Sequence, residues 1–242
     1  MPAPSYNTLD REIERIARES YGKLVALLTA EFRDLTAAED ALSDALLKAL
    51  TRWQDRGIPD SPEAWLLTTA RRRFLDEARR KRIRASHTPE LLNRLASSCS
   101  LEAPSMPDRR LGLFFVCAHP AIDSAARAPL ILQTVLGLQA SRIAEAFLVS
   151  ETAMAQRLVR AKRKIRDAGI PFQVPASTEL TGRLQAVLEA IYACYAAGWS
   201  TPLGADDESR GLAEEAIWLA RILTDLCPDE PEAIGLLALI LH

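Results

Sequence analysis

Met154, Leu158, Ala161 and Ile165 follow one another at intervals of four, three and four residues, the repeat of one helix face. A strand cannot use that spacing, because its side chains alternate every second residue. Just before them, Ile143, Ala144 and Phe147 give a shorter helix an apolar face, and Val149-Ser150-Glu151 makes a turn with Ser150 as its N-cap. Residues 138–166 are therefore predicted as two helices around a tight turn. The face opposite the apolar one carries Thr152, Gln156, Arg157, Arg160, Lys162, Arg163, Lys164 and Arg166. An apolar back and a front of hydrogen-bonding and cationic side chains suit a helix that lies in a DNA major groove. A solvated amphipathic helix of a bundle has the same pattern, so this stretch alone leaves both readings open.

The rest of the chain follows the helical repeat as well. Short β-branched or alternating runs are missing, and an all-α fold is expected. A first helix is expected over residues 9–32, with Ile13, Ile16, Leu24 and Leu28 inside. A second covers 36–53, where Thr36 with Glu39 and Asp40 makes a partial capping box. Ala41, Leu42, Ala45, Leu46, Ala49, Leu50 and Trp53 are its core face. After a loop at 54–60, Ser61 as N-cap and Pro62 at the first helical position open a third helix, to about residue 82. Trp65 and Phe74 are assigned to the core. Residues 85–108 lack periodicity and are read as a linker, with one helical turn around 91–95. A helix over 109–118 is broken by His119-Pro120, where His119 is given a capping or packing role. The next, over 125–136, is capped by Asp123 or Ser124. A second linker at 169–177 leads into helices over 179–197, 209–227 and 232–242. The last is a short apolar run that must bury against the preceding helices or another copy.

The sum of charges is only −2, and it hides three patches. Residues 71–84 hold eight cations against Asp76 and Glu77, and residues 156–166 hold six cations and no acid. Residues 206–232 hold nine acids against Arg210 and Arg221. Basic patches attract phosphate by releasing condensed counterions, and an acidic neighbour competes for the same surfaces. The four cysteines are widely spaced, which argues against a zinc site and for a reduced, cytoplasmic setting. No membrane span and no secretory signal are expected. With no Gly-rich phosphate loop, nucleophile motif or His/Cys cluster, no enzymatic activity, metal or cofactor is expected.

Three stretches in order carry a family resemblance. AEDALSDALLKALTRW (38–53) resembles region 2.2 of sigma-70 factors, the helix that docks on the polymerase clamp helices. SPEAWLLTTARRRFLDEARRKR (61–82) resembles regions 2.3 and 2.4, which melt and read the −10 element, and residues 138–166 resemble region 4.2, which reads the −35 element. Over residues 9–168 the chain thus resembles the extracytoplasmic-function (ECF) group of the sigma-70 family, the promoter-recognition subunits of bacterial RNA polymerase. FFVCAHPAI (114–122) followed by FLVSETAMAQRLVRAKRKIRDAGIPF (147–172) is similar to the ECF subgroup with a C-terminal tetratricopeptide-like extension. LAEEAIWLARIL and PDEPEAIGLLALILH look like the start of that extension. Members continue further, so a truncated or naturally short version is expected.

The resemblance implies sigma region 2 over 1–84, a linker over 85–108, sigma region 4 over 109–170 and a helical extension over 171–242. It implies core polymerase and promoter DNA as partners, and it admits an anti-sigma factor or another regulatory partner acting through the extension. Glu39, Asp40, Asp44 and Lys48, expected on one exposed stripe, would contact polymerase; a solvated charged face is the plain alternative. Arg71, Arg72, Arg73, Arg79 and Arg80 would meet the −10 phosphates and the unwound strand, with a flipped base captured near 55–60. The family often has Asn where Arg72 stands, which leaves the −10 preference open. Thr152, Gln156, Arg157 and Arg160 would face the −35 bases, and Lys162, Lys164 and Arg166 would hold phosphate. Gln139 and Ala140 replace the usual Ser or Thr cap before the first helix of the pair, so a weaker cap is expected there. The rival readings are a stand-alone helix-turn-helix regulator binding duplex DNA as a dimer, and a repeat scaffold, for which the tail is too short.

Overall fold

The computed structural model describes residues 6–84, 108–199 and 207–242, and its described residues are helical without strands. Residues 85–107 of the expected linker, with its helical turn around 91–95, and the start of the acidic segment lie outside them. Two compact units divide the chain, Met1–Asp108 and Arg109–His242.

The first unit holds α1 (Tyr6–Phe32), α2 (Leu35–Arg56) and α3 (Pro62–Arg84), with α2 packed against both neighbours. Arg33 turns the chain out of α1 with a left-handed φ of 55°. The cap of α2 then sits two residues earlier than the Thr36 box: Asp34 is the N-cap, and its carboxylate accepts from Ala37 N–H at 3.1 Å. Gly57, at φ 80°, closes α2 by donating to Trp53 O. Ser61 O accepts the first bond of α3 from Trp65 N–H.

The buried line of α2 runs through Ala38, Ala41, Ala45, Ala49 and Trp53, mostly small residues that let α1 and α3 approach closely. Leu24, Val25 and Leu28 meet it from α1, and Leu66, Leu67 and Ala70 belong to the same core from α3. Leu50, expected in the core, is exposed: one residue past Ala49 is roughly 100° of helix turn, enough to leave the buried line. Aromatic pairs close the two ends of this packing. Phe32 stacks on Phe74 at 3.7 Å between centroids, and Trp65 meets Trp53 edge-on at 5.4 Å. Both Phe74 and Trp65 are half-buried rather than enclosed.

The second unit holds α4 (Arg110–Cys117), α5 (Ser124–Leu136), α6 (Ala140–Ala146), α7 (Glu151–Asp167), α8 (Ser177–Trp199), α9 (Asp207–Leu226) and α10 (Pro231–Leu241). Asp123 caps α5, accepting from Ala125 N–H at 2.9 Å. His119 Nδ1 accepts from Ala121 N–H in the turn that follows α4. α5 is apolar nearly all round, from Ala126 to Leu136, so it needs cover on more than one side. α4, α6 and α7 supply part of that cover and α8 the rest, with Leu184, Val187, Ile191 and Cys194 buried on α8. Packing therefore crosses the boundary expected between residues 170 and 171. Arg183 of α8 donates to Phe115 O at 2.9 Å, one of the last-turn carbonyls of α4 that has no helical partner of its own. Arg142 of α6 pairs with buried Glu215 of α9 at 3.8 Å. α10 docks on α8 and α9 through Ala233 and Ile240, leaving Ile234, Leu239 and Leu241 exposed. No described helix is long and apolar enough to cross a membrane.

Candidate nucleic-acid interface

α6 and α7 are the two helices around a tight turn that the periodicity anticipates. Gln139 is the N-cap of α6 and makes no side-chain cap bond, as its chemistry suggested. Phe147, Leu148 and Val149 donate to the carbonyls of Ile143, Glu145 and Ala144, which folds the turn tightly. Leu148 pays for that turn with a left-handed φ of 52°, and its side chain is 91% exposed. Ser150 caps α7, accepting from Ala153 N–H at 3.3 Å. Met154, Leu158, Ala161 and Ile165 are all buried, and this fixes which face of α7 meets solvent.

That solvent face carries Thr152, Gln156, Arg160 and Lys164. Arg157 does not join them. Pro129 has no N–H to offer Ala125 O across the first turn of α5, and Arg157 Nη1 reaches that carbonyl at 3.4 Å instead. Arg157 is half-buried as a result. Lys162 is also half-buried. Arg163 and Arg166 both reach Asp167, at 3.2 and 3.4 Å. Val159, absent from the sequence-based set, is exposed beside Arg160. Its spacing from Gln156 and Arg163 was the signal that placed it on this face.

The basic run of α3 divides in a way its sequence does not show. Arg71 makes a bidentate pair with Glu31 of α1, its Nε 2.9 Å from Oε2. Arg73 pairs with Asp44 of α2 and lies 3.9 Å from Glu77. These two arginines brace the three helices. Arg72 and Arg80 are exposed on α3. The Arg79 side chain lies outside the described residues. Glu63, in the first turn of α3, accepts from Ser20 at 2.7 Å and pairs with Lys23 at 3.3 Å, tying the start of α3 to α1.

On α2 the expected acidic stripe is also redistributed. Asp40 and Lys48 are exposed, whereas Asp44 is half-buried against Arg73 and Glu39 is 7% exposed. Glu39 falls four residues after Leu35 and three before Leu42, both buried, so its position is a core position. The stripe that does face solvent is Asp40, Ser43, Leu47, Leu50, Thr51 and Gln54. Leu47, at 64% exposure, and Leu50 give its middle an apolar character.

Residues 16–83, which span nearly all of the three-helix unit, match the family described as Sigma-70 region 2. The first unit is thus similar to a sigma-70 region 2. The matched residues enclose the α1–α3 braces described above. Residues 183–242 match a second family, described as a family of unknown function (DUF6596), which begins at the arginine that caps α4. The chain is also similar to an uncharacterized protein of Rhizobium meliloti (strain 1021), 41% identical over 216 residues. That alignment covers 87% of this chain and 51% of the relative, so the chain spans about half the length of the relative it matches. No solved structure matches the chain.

Proposed function

We propose that the protein is a sigma factor of the ECF type, which brings core RNA polymerase to promoters and starts transcription without catalytic activity of its own. What carries the reading is the pairing of a sigma-70 region 2 with a helix-turn-helix whose second helix turns Thr152, Gln156, Arg160 and Lys164 outward. In this reading the solvent stripe of α2 docks on polymerase. Asp40 and Lys48 lie at its charged edges, and Leu47 and Leu50 supply the apolar area that holds an interface. Arg72, Arg79 and Arg80 meet the −10 phosphates and the unwound strand. Gln156 and Arg160 read −35 base edges, each bidentate pair contributing ~1–3 kcal/mol of discrimination. Lys162 and Lys164 hold phosphate on the same helix. The protein acts in the cytoplasm, where polymerase and promoter are. A regulatory partner such as an anti-sigma factor would be received by the extension.

In vitro transcription with sigma-free core polymerase on a promoter library tests this. The expected result is initiation at a shared two-element sequence, lost when Gln156 and Arg160 are both replaced by alanine. Failure to bind core polymerase, or polymerase binding without initiation, overturns it. Selective duplex binding by the chain alone as a dimer, without initiation, would establish the stand-alone regulator instead.

A further inference from the structure

The solvent face of α7 has one large apolar member. Val159 is 65% exposed and stands three residues after Gln156, four before Arg163 and next to Arg160. A single exposed apolar side chain is ordinary on a protein surface. The surroundings set this one apart. At one helical turn in either direction its neighbours are Ala155, Gln156, Lys162 and Arg163, so every large side chain around it is hydrogen-bonding or cationic. A β-branched residue in the open middle of a helix also forgoes helix propensity that arginine or glutamine would keep.

We propose that Val159 reads the C5-methyl group of a thymine in the promoter duplex, an inference that rests on α7 lying in the major groove as proposed above. An isopropyl group gains nothing from a phosphate oxygen, but it gains from apolar area taken out of water. In the major groove thymine is the base that offers such area, and the remaining base edges are donors and acceptors. The cations around Val159, Arg160 and Arg163, favour the polyanion over an apolar protein partner. Register follows from helix geometry. Three residues advance the axis by about 4.5 Å, close to the base step of about 3.4 Å. The thymine is therefore in the pair next to the one that Gln156 reads.

The test uses the full chain with core polymerase and duplexes selected from a randomised library. Each thymine of the selected −35 segment is replaced singly by uracil, which removes the methyl group and leaves the hydrogen-bonding edge intact. One replacement is expected to weaken binding about fourfold, the effect of burying one methyl group. Val159→Ala is expected to bind the thymine duplex about fourfold less tightly and to treat thymine and uracil alike. Because Val159 is exposed and alanine favours helix, this variant keeps its fold. If no uracil replacement has an effect, or Val159→Ala keeps the full preference, the proposal falls. The groove reading itself survives that result as long as Gln156→Ala still changes the selected sequence. If α7 variants change neither binding nor selection, both readings fall.

Discussion

Pro129 illustrates how a single residue sets the role of another far along the chain. It sits inside α5, where it leaves Ala125 O without its helical donor, and Arg157 of α7 comes to that carbonyl at 3.4 Å. Removing the guanidinium should lower stability by about 0.5–1.5 kcal/mol, the net value of such a bond. Replacing Pro129 by alanine restores a backbone donor, so the effect of Arg157→Ala should shrink in that background. A double-mutant cycle by chemical denaturation reads the coupling; additive effects would show that Arg157 is not serving this carbonyl. Leu148 is a second such residue. Its backbone is left-handed at φ 52° and its side chain packs against almost nothing. A left-handed L-residue costs roughly 1–2 kcal/mol, whereas glycine loses about 0.5–1 kcal/mol through the entropy of the unfolded chain. Leu148→Gly should therefore raise stability by up to ~1 kcal/mol, visible as a higher melting temperature. An unchanged or lower midpoint would mean that the exposed leucine contributes packing of its own.

The junction of α4 with α8 shows how an element from the segment of unknown function completes the packing of the unit that holds α6 and α7. Arg183 serves the carbonyl end of α4, and beside it His119 Nδ1 accepts from Ala121 N–H, a bond that only the unprotonated nitrogen can make. Burial first, then the charges of Arg183 and Arg127, hold the His119 imidazole below its ordinary pKa, with Glu179 pulling weakly the other way. The folded state thus binds fewer protons than the unfolded chain as pH falls below the ordinary histidine value. Stability contributed by neutral His119 is full above that value and is lost from there down to the depressed one. Denaturation midpoints from pH 8 to pH 5 should fall less in His119→Asn, which keeps an acceptor and cannot titrate; parallel curves would sink the idea. Much of this element-scale order was legible beforehand. The repeat of Met154, Leu158, Ala161 and Ile165 gave α7 and its buried face, and Ser150 gave its cap. The cover that α8 gives α4 and α5 was not legible, because periodicity locates an apolar face without naming what packs on it.

Across the whole molecule, clusters of like charge in the sequence turn out to mix two jobs. Arg71, Arg72 and Arg73 are consecutive, yet Arg71 and Arg73 answer to Glu31 and Asp44, which stand 40 and 29 residues away. No local pattern announces such pairs, and the same distance explains why Asp44 read as a solvent-facing acid. Glu39 differs: its spacing from Leu35 and Leu42 marked a core position, and its charge masked the signal. The division of labour among the cations can be measured as salt dependence. A cation that neutralises a duplex phosphate contributes about 0.9 to the slope of log affinity against log salt, and one on a single strand about 0.7. For the polymerase-bound chain on its promoter, Lys164→Gln should flatten the slope by about 0.9 and Arg72→Gln by about 0.7, each with an unchanged melting temperature. Arg71→Gln should leave the slope as it is and instead lower stability by about 1–2 kcal/mol, between the values of exposed and buried ion pairs. Titrations over a series of salt concentrations, set beside thermal denaturation of the same variants, separate the two jobs. If Arg71→Gln flattens the slope as much as Arg72→Gln, then the brace opens on binding and its arginine does meet phosphate.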